Sequence, residues 1–151
     1  MAGSGDLKTQ LTDLGVSGRS IKVGQVWTLP DKDINLPANQ ARQANGDGLH
    51  DDRTAVVIQD GPSLVNPLVK TVLVAPTSHL THLKTINDVL LAAGEGGLHQ
   101  DSVCMLDHVQ PVAKTHLRHL CGRLENHRIE ELRVLLAAIT GGHTGTDTEP
   151  A

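Results

Sequence analysis

Two short apolar segments in the middle of the chain place the strongest constraint on its fold. Residues 54–59 and 70–75 are rich in β-branched side chains and are flanked by turn-forming residues. Segments of this length and composition are typical of strands and are too short for a buried helix. If the two strands pair antiparallel, the start of the first lies beside the end of the second.

The residues at those two ends suggest a phosphate site. Arg53 precedes the first strand, and Thr77 and Ser78 follow the second, directly after Pro76. A guanidinium beside hydroxyl groups can hold a phosphate and stabilise the charge that develops on it. Taken singly, such residues are more often a solvated strand end and a turn, so the prediction depends on their meeting.

The rest of the pattern predicts a mainly β domain that also contains a helix. Residues 23–29 alternate and predict a first strand, residues 109–112 predict another, and residues 114–120 predict one or two helical turns. Asn126 is the predicted cap of a final helix, which ends at Gly141-Gly142. Four apolar residues share one face of that helix: Ile129, Leu132, Leu136 and Ile139. We therefore predict a small β-barrel or strongly bent sheet with a packed C-terminal helix.

Three regions are predicted along the chain. Residues 1–20 are small and polar and predict a flexible N-terminal arm, residues 22–140 form the predicted domain, and residues 141–151 form a polar tail. Residues 31–52 show no periodicity and predict a long loop. Loops of this length are often lids or binding loops, but a disordered insertion fits the pattern equally well.

Composition argues against several functional classes. Trp27 is the only Trp, Tyr or Phe residue, so the aromatic platforms of non-specific single-strand binders are not expected. The formal net charge of -4 argues against a protein that coats polyanions. The sequence shows no signal-peptide pattern and no apolar run of membrane-spanning length, so we expect a cytoplasmic protein without a membrane partner.

Cysteines and histidines give no strong metal pattern. Cys104 lies within an apolar run and predicts a core thiol. His116 and His119 are three residues apart, with Cys121 nearby, and this spacing can support a metal. Since no second ligand pair has a matching spacing, we expect solvated histidines, no metal and no cofactor. A metal-binding regulator remains a weaker alternative.

An ordered set of motifs resembles the MazF/PemK family of toxin endoribonucleases over about residues 22–139. The motifs are Gly24-Gln-Val-Trp27, Arg53 before Val-Val-Ile, Val74-Ala-Pro-Thr-Ser78, Gly97-Leu-His-Gln-Asp-Ser-Val103, Leu106-Asp107, Lys114 to Leu117, and Gly122-Arg-Leu124 before the last helix. The resemblance implies a small SH3-like (CcdB/PemK-type) β-barrel with a packed C-terminal helix, usually as a homodimer. It implies sequence-specific, metal-independent cleavage of single-stranded RNA (mRNA), and neutralisation by a cognate, MazE-like antitoxin protein.

The resemblance also implies roles for individual residues. Arg53 and Thr77 match the family's catalytic positions. Five further residues are predicted to bind RNA: Ser78, Gln25, Trp27, His79 and His108. In the implied reaction the 2′-OH attacks the adjacent phosphate, giving a 2′,3′-cyclic phosphate and a 5′-OH end.

The chain also departs from the family pattern. Thr54 follows Arg53 where the family often has proline, and the strand after Leu106-Asp107 differs from the family's. The acidic residues Asp51 and Asp52 would repel RNA phosphate if they pointed inward, or restrain Arg53 through an ion pair. The alternative function is a non-catalytic barrel that binds a protein target, as a gyrase-inhibitor-like protein or a decayed toxin.

Overall fold

Seven strands and two helices make up the part of the chain that the computed structural model describes, residues 20–46 and 52–142. The strands are β1 (Gln25–Pro30), β2 (Asp52–Val57), β3 (Thr71–Ser78), β4 (Asp88–Leu91), β5 (Ser102–Met105), β6 (Gln110–Ala113) and β7 (His119–Arg123). The helices are α1 (Pro37–Ala44) and α2 (Asn126–Ile139). No helix in these residues is long and apolar enough to cross a membrane.

The sheet is antiparallel throughout and bends at β3. Its strand order is β4-β5-β3-β2-β1-β7, and β6 also pairs with β3. The first half of β3 pairs with β6, at Thr71–Val74, whereas its end pairs with β5, at Thr77 and Ser78. One strand that changes partner along its length forces the sheet to curl. This architecture confirms the predicted mainly β fold with a packed C-terminal helix.

Both faces of the central strands are buried, which explains why they read as apolar runs. Successive residues of a strand point to opposite faces, and in β1 Val26 and Trp27 belong to different cores. A first core contains Trp27, Leu29 and Val57. The second, the helix core, contains Val26, Val56, Leu124, Ile129 and Leu132, and so joins α2 to the sheet. The predicted apolar face of α2 is thus confirmed.

The central antiparallel pair follows the prediction, with shifted bounds. Strand β2 begins at Asp52, and β3 continues to Ser78, so Thr77 and Ser78 are strand residues and do not form a turn. The ladder pairs Ala55 with Pro76 and Val57 with Val74. The start of β2 therefore lies beside the end of β3.

Three local predictions were wrong. Residues 37–44, predicted as loop, form α1, which starts with Pro37 and buries only Asn39, so it has no apolar stripe to reveal it. Residues 114–120 form a 3-10 turn, Lys114–His116, and then enter strand β7, since pairing with β1 overrides the helical pattern. Asn126 is the first residue of α2, and Glu125 takes the cap position without a side-chain cap bond.

Several predictions fall partly on residues outside the described ranges. These residues comprise nearly all of the predicted arm, at 1–19, most of the polar tail, at 143–151, and residues 47–51 of the predicted loop.

Candidate active site

The β2–β3 ladder brings Arg53 and Thr77 into direct contact. Arg53 Nη1 donates a hydrogen bond of 2.8 Å to the backbone oxygen of Thr77. The Thr77 hydroxyl donates to the backbone oxygen of Thr54 at 3.2 Å and is also hydrogen-bonded to the Thr54 hydroxyl. The two catalytic residues predicted from the sequence are therefore neighbours at one rim of the sheet.

A buried carboxylate holds the other side of Arg53. Asp31 lies just after β1, and its Oδ1 accepts a 2.6 Å hydrogen bond from Arg53 Nε and a 2.9 Å hydrogen bond from Asn39 Nδ2. The Asp31 side chain is 0% exposed and that of Arg53 is 14% exposed. A charge-assisted pair in such a dry position fixes the guanidinium plane.

Sequence reasoning missed Asp31 and Asn39. The sequence offers Asp51 and Asp52 either as residues that repel phosphate or as ion-pair partners of Arg53. In the structure Asp52 accepts a 2.6 Å bond from Arg118, and Asp51 lies outside the described residues. The sequence shows that an acidic residue directly follows the strand ending at Pro30, but this position does not reveal that the carboxylate is buried.

A cleft of about 740 Å³ opens beside Arg53 and Thr77. Three of the predicted RNA-binding residues line it, namely Ser78, His79 and His108. Ser78 Oγ accepts a 3.2 Å bond from the Leu80 backbone, which turns the chain at the end of β3. The cleft has room for nucleotides.

The cleft is chemically mixed. Arg42 and Arg53 supply positive charge, whereas Asp52 and Asp88 supply negative charge. His99, which was not selected from the sequence, also lines it. Basic side chains therefore line the cleft although the whole chain is acidic.

Helix α1 forms one wall of this cleft and is tied to the sheet. The Asn35 backbone donates to Gln110 Oε1 at 2.8 Å, and Gln110 Nε2 donates back to the Asn35 oxygen at 3.1 Å. This reciprocal pair joins the entry of α1 to the start of β6. The part of the predicted loop that is described is thus a structured wall.

Gln25 and Trp27 lie away from the cleft. Gln25 Oε1 accepts hydrogen bonds from Trp27 Nε1 at 3.0 Å and from the Lys22 backbone at 2.8 Å. Trp27 is buried in the first core. Neither residue lines the cleft, so the geometry gives no support to the RNA contacts predicted for them.

The histidine and cysteine pattern does not form a cluster. Within residues 20–46 and 52–142, no group of three or more His, Cys, Asp or Glu side chains could hold a metal ion. His116 lies in a 3-10 turn and faces Asp33 at 3.4 Å, whereas His119 belongs to β7, so the two do not share a helical face. Cys104 is a core thiol, as predicted, and burial raises its pKa to about 12.

Comparison with known protein families shows which family this chain belongs to. Residues 22–140 match the family described as PemK-like, MazF-like toxin of type II toxin-antitoxin system. The chain belongs to this family. A search of curated proteins found no match.

Solved structures of MazF proteins share the fold of this family member. A MazE–MazF crystal structure from Deinococcus radiodurans has a TM-score of 0.56 and 18% identity, covering 82% of this chain and 97% of that one. A mycobacterial endoribonuclease in complex with its cognate antitoxin has a TM-score of 0.58 and 15% identity, covering 83% and 99%. Mycobacterium tuberculosis toxin MazF-mt6 has a TM-score of 0.53 and 22% identity, covering 64% and 93%.

Proposed function

We propose that this MazF-like chain is a sequence-specific endoribonuclease that cleaves single-stranded RNA as the toxin of a type II toxin–antitoxin system. Its family membership supports this function. The observation that carries the proposal is the contact of Arg53 with both Asp31 and Thr77 at the wall of a nucleotide-sized cleft.

The proposed chemistry needs no metal, because RNA supplies its own nucleophile. The 2′-oxygen forms a bond to phosphorus, the bond from phosphorus to the 5′-oxygen breaks, the 2′-OH loses a proton, and the leaving oxygen gains one. The products are a 2′,3′-cyclic phosphate and a 5′-OH end. The protein then has to align the chain and stabilise charge on the phosphoryl oxygens.

Arg53 is suited to the charge-stabilising role. A guanidinium has five N–H donors, of which its bonds to Asp31 and Thr77 use two. The side chain also lines the cleft, where the other donors can face a phosphate. We assign Thr77 to a second phosphoryl contact, and Ser78, His79 and His108 to the bound RNA strand.

We extend the proposal to the partners of the protein. Two of the similar structures are toxins in complex with a cognate antitoxin or with MazE, which supports a MazE-like antitoxin for this chain. We further propose that it works as a cytoplasmic homodimer, and that a segment of the antitoxin occupies the cleft and excludes RNA.

The direct test is incubation of the purified protein with diverse RNAs in the presence of EDTA, followed by mapping of the ends. Cyclic-phosphate and 5′-OH ends at a recurring sequence are expected. Arg53→Ala and Thr77→Val should each slow cleavage by about 10²–10³-fold, the usual effect of losing one such donor. Arg133→Ala is the matched control, since Arg133 is an exposed arginine of α2 that does not line the cleft.

Two results would count against the proposal. If folded wild-type protein leaves all RNAs intact, the chain is a non-catalytic barrel of this family. If Arg53→Ala cleaves as fast as wild type, cleavage does not depend on this site.

A further inference from the structure

A gain in stability alone does not explain why the carboxylate of Asp31 is buried. Its side chain is 0% exposed, and it lies at the start of a 3-10 turn whose backbone is closed by a bond from Ile34 to the Asp31 oxygen at 3.1 Å. Taking a carboxylate and a guanidinium out of water costs several kcal/mol per ion, and their attraction often only offsets that cost. Replacing such a pair by apolar residues is often neutral. The main effect of this pair is therefore on where the Arg53 guanidinium sits.

Asp31 and Thr77 hold the guanidinium at two different nitrogens. Arg53 Nε donates a 2.6 Å hydrogen bond to Asp31 Oδ1, and Arg53 Nη1 donates a 2.8 Å hydrogen bond to the Thr77 backbone oxygen. Two bonds to separate atoms of a planar group fix both its position and its tilt. Arginine side chains are positively charged throughout the physiological pH range. The site therefore holds a positive charge at a fixed position beside the cleft.

A third residue fixes Asp31 in turn. Asn39, buried on α1, donates its side-chain Nδ2 to the same Oδ1 that receives Arg53. Asn39 also lines the cleft wall. A continuous row of contacts thus runs from α1 through Asp31 to Arg53 and Thr77.

We propose that Asp31 is a positioning residue for RNA cleavage, which holds the Arg53 guanidinium against the site of the scissile phosphate, and that Asn39 supports it. The inference rests on the proposed ribonuclease function. Arg53 is then a fixed charge stabiliser, and the proton transfers are left to other groups. Preorganised charge of this kind acts on the transition state, so its loss lowers kcat more than it raises KM.

The first experiment compares Asp31→Asn with wild type on a cleavable RNA. The amide keeps the size of the side chain but removes the charge that holds Arg53. We expect kcat to fall about 10- to 100-fold, the effect of a small misplacement of a reacting group, with KM nearly unchanged. Asp33→Asn is the control, because Asp33 lies in the same turn and faces His116; it should cleave like wild type.

The second experiment separates positioning from a general structural effect. If Asp31 acts through Arg53, the double variant Asp31→Asn/Arg53→Ala should be no slower than Arg53→Ala alone. Added methylguanidinium, well below denaturing concentrations, should partly restore Arg53→Ala by occupying the vacated place beside Asp31. It should not restore the double variant.

A third variant covers the case in which Asp31→Asn fails to fold. Asn39→Ala keeps both charges and removes one hydrogen bond to Asp31 Oδ1, so it should lower kcat a few-fold in the wild-type background and not at all in Arg53→Ala. Unchanged kcat in a folded Asp31→Asn variant, or losses that add in the double variant, would overturn the inference while leaving the proposed function intact. Inactive wild-type protein would overturn both.

Discussion

Thr54 and Thr77 lie opposite each other on β2 and β3, and their side-chain hydroxyls are hydrogen-bonded to each other. The Thr77 hydroxyl is also 3.2 Å from the Thr54 backbone oxygen, and Thr77 is buried at 4% exposure. In this chain Thr54 therefore orients the hydroxyl to which we assign a phosphoryl contact.

Removing the Thr54 hydroxyl should weaken cleavage through Thr77. We expect Thr54→Val to lower kcat by about 5-fold, since one hydrogen bond of this type is worth about 1 kcal/mol and about 1.4 kcal/mol corresponds to a factor of ten. Thr54→Ser keeps the hydroxyl and should stay close to wild type. Single-turnover cleavage rates give the comparison, and equal rates for the Val and Ser variants would contradict the role.

The contact between Glu95 and Arg128 makes stability depend on pH. Arg128 Nε and Nη2 donate to the two Glu95 carboxylate oxygens at 2.7 and 3.1 Å. These bonds lower the pKa of Glu95 from its ordinary value. Because the folded pKa lies below the unfolded one, the contribution is present above the unfolded pKa and is lost as pH falls through the folded pKa.

Thermal unfolding across pH tests this contact. At pH 7, Glu95→Gln should melt a few degrees below wild type, and the two curves should converge in acid. Glu130→Gln, at an exposed position of the same helix that holds Arg128, should track wild type throughout. If the melting temperature of Glu95→Gln stays equally far below that of wild type at low pH, the carboxylate charge does not contribute to stability.

The two cysteines should differ in reactivity. Cys104 is fully buried, with its pKa raised to about 12, whereas Cys121 is half-buried, with a pKa that burial also raises. The thiolate is the reactive form, so iodoacetamide should modify folded protein slowly at Cys121 and reach Cys104 only on unfolding. Mass spectrometry of wild type, Cys104→Ala and Cys121→Ser checks the assignment; early modification of Cys104 would contradict its burial.

Gly97 packs its backbone directly on strand β7. A Cβ at residue 97 would lie 2.1 Å from the Cys121 backbone oxygen, and the φ of +77° is itself unfavourable for other residues. Gly94 has a similar φ of +96° but open space around it, so it isolates the backbone effect. We expect Gly94→Ala to cost about 1 kcal/mol and Gly97→Ala well over 3 kcal/mol in denaturant unfolding. Equal losses would mean that the close approach is unimportant.

The sequence predicts those features that arise from local patterns. Strands β2 and β3 are short apolar runs, and antiparallel pairing alone brings Arg53 to Thr77. Helix α1 buries a single polar residue, so no periodicity marks it. Strand β7 is half-exposed and contains a glycine, and it forms because β1 offers a free edge.

The Asp31–Arg53 contact could not be predicted for a different reason. It joins two residues that are 22 positions apart, and the partner of a buried carboxylate depends on how the 31–46 segment folds back over the sheet. An acidic residue at a strand end is otherwise indistinguishable from a solvated one.

The pairing of β1 with β7 means that the sheet can be completed only late in the synthesis of the chain. Strand β1 is among the first residues of the domain, yet its outer neighbour spans His119–Arg123, and the Arg118 backbone donates to Thr28 at 2.7 Å. Until those residues emerge from the ribosome, one edge of the sheet is open. The sheet therefore cannot be completed until most of the domain has been synthesised.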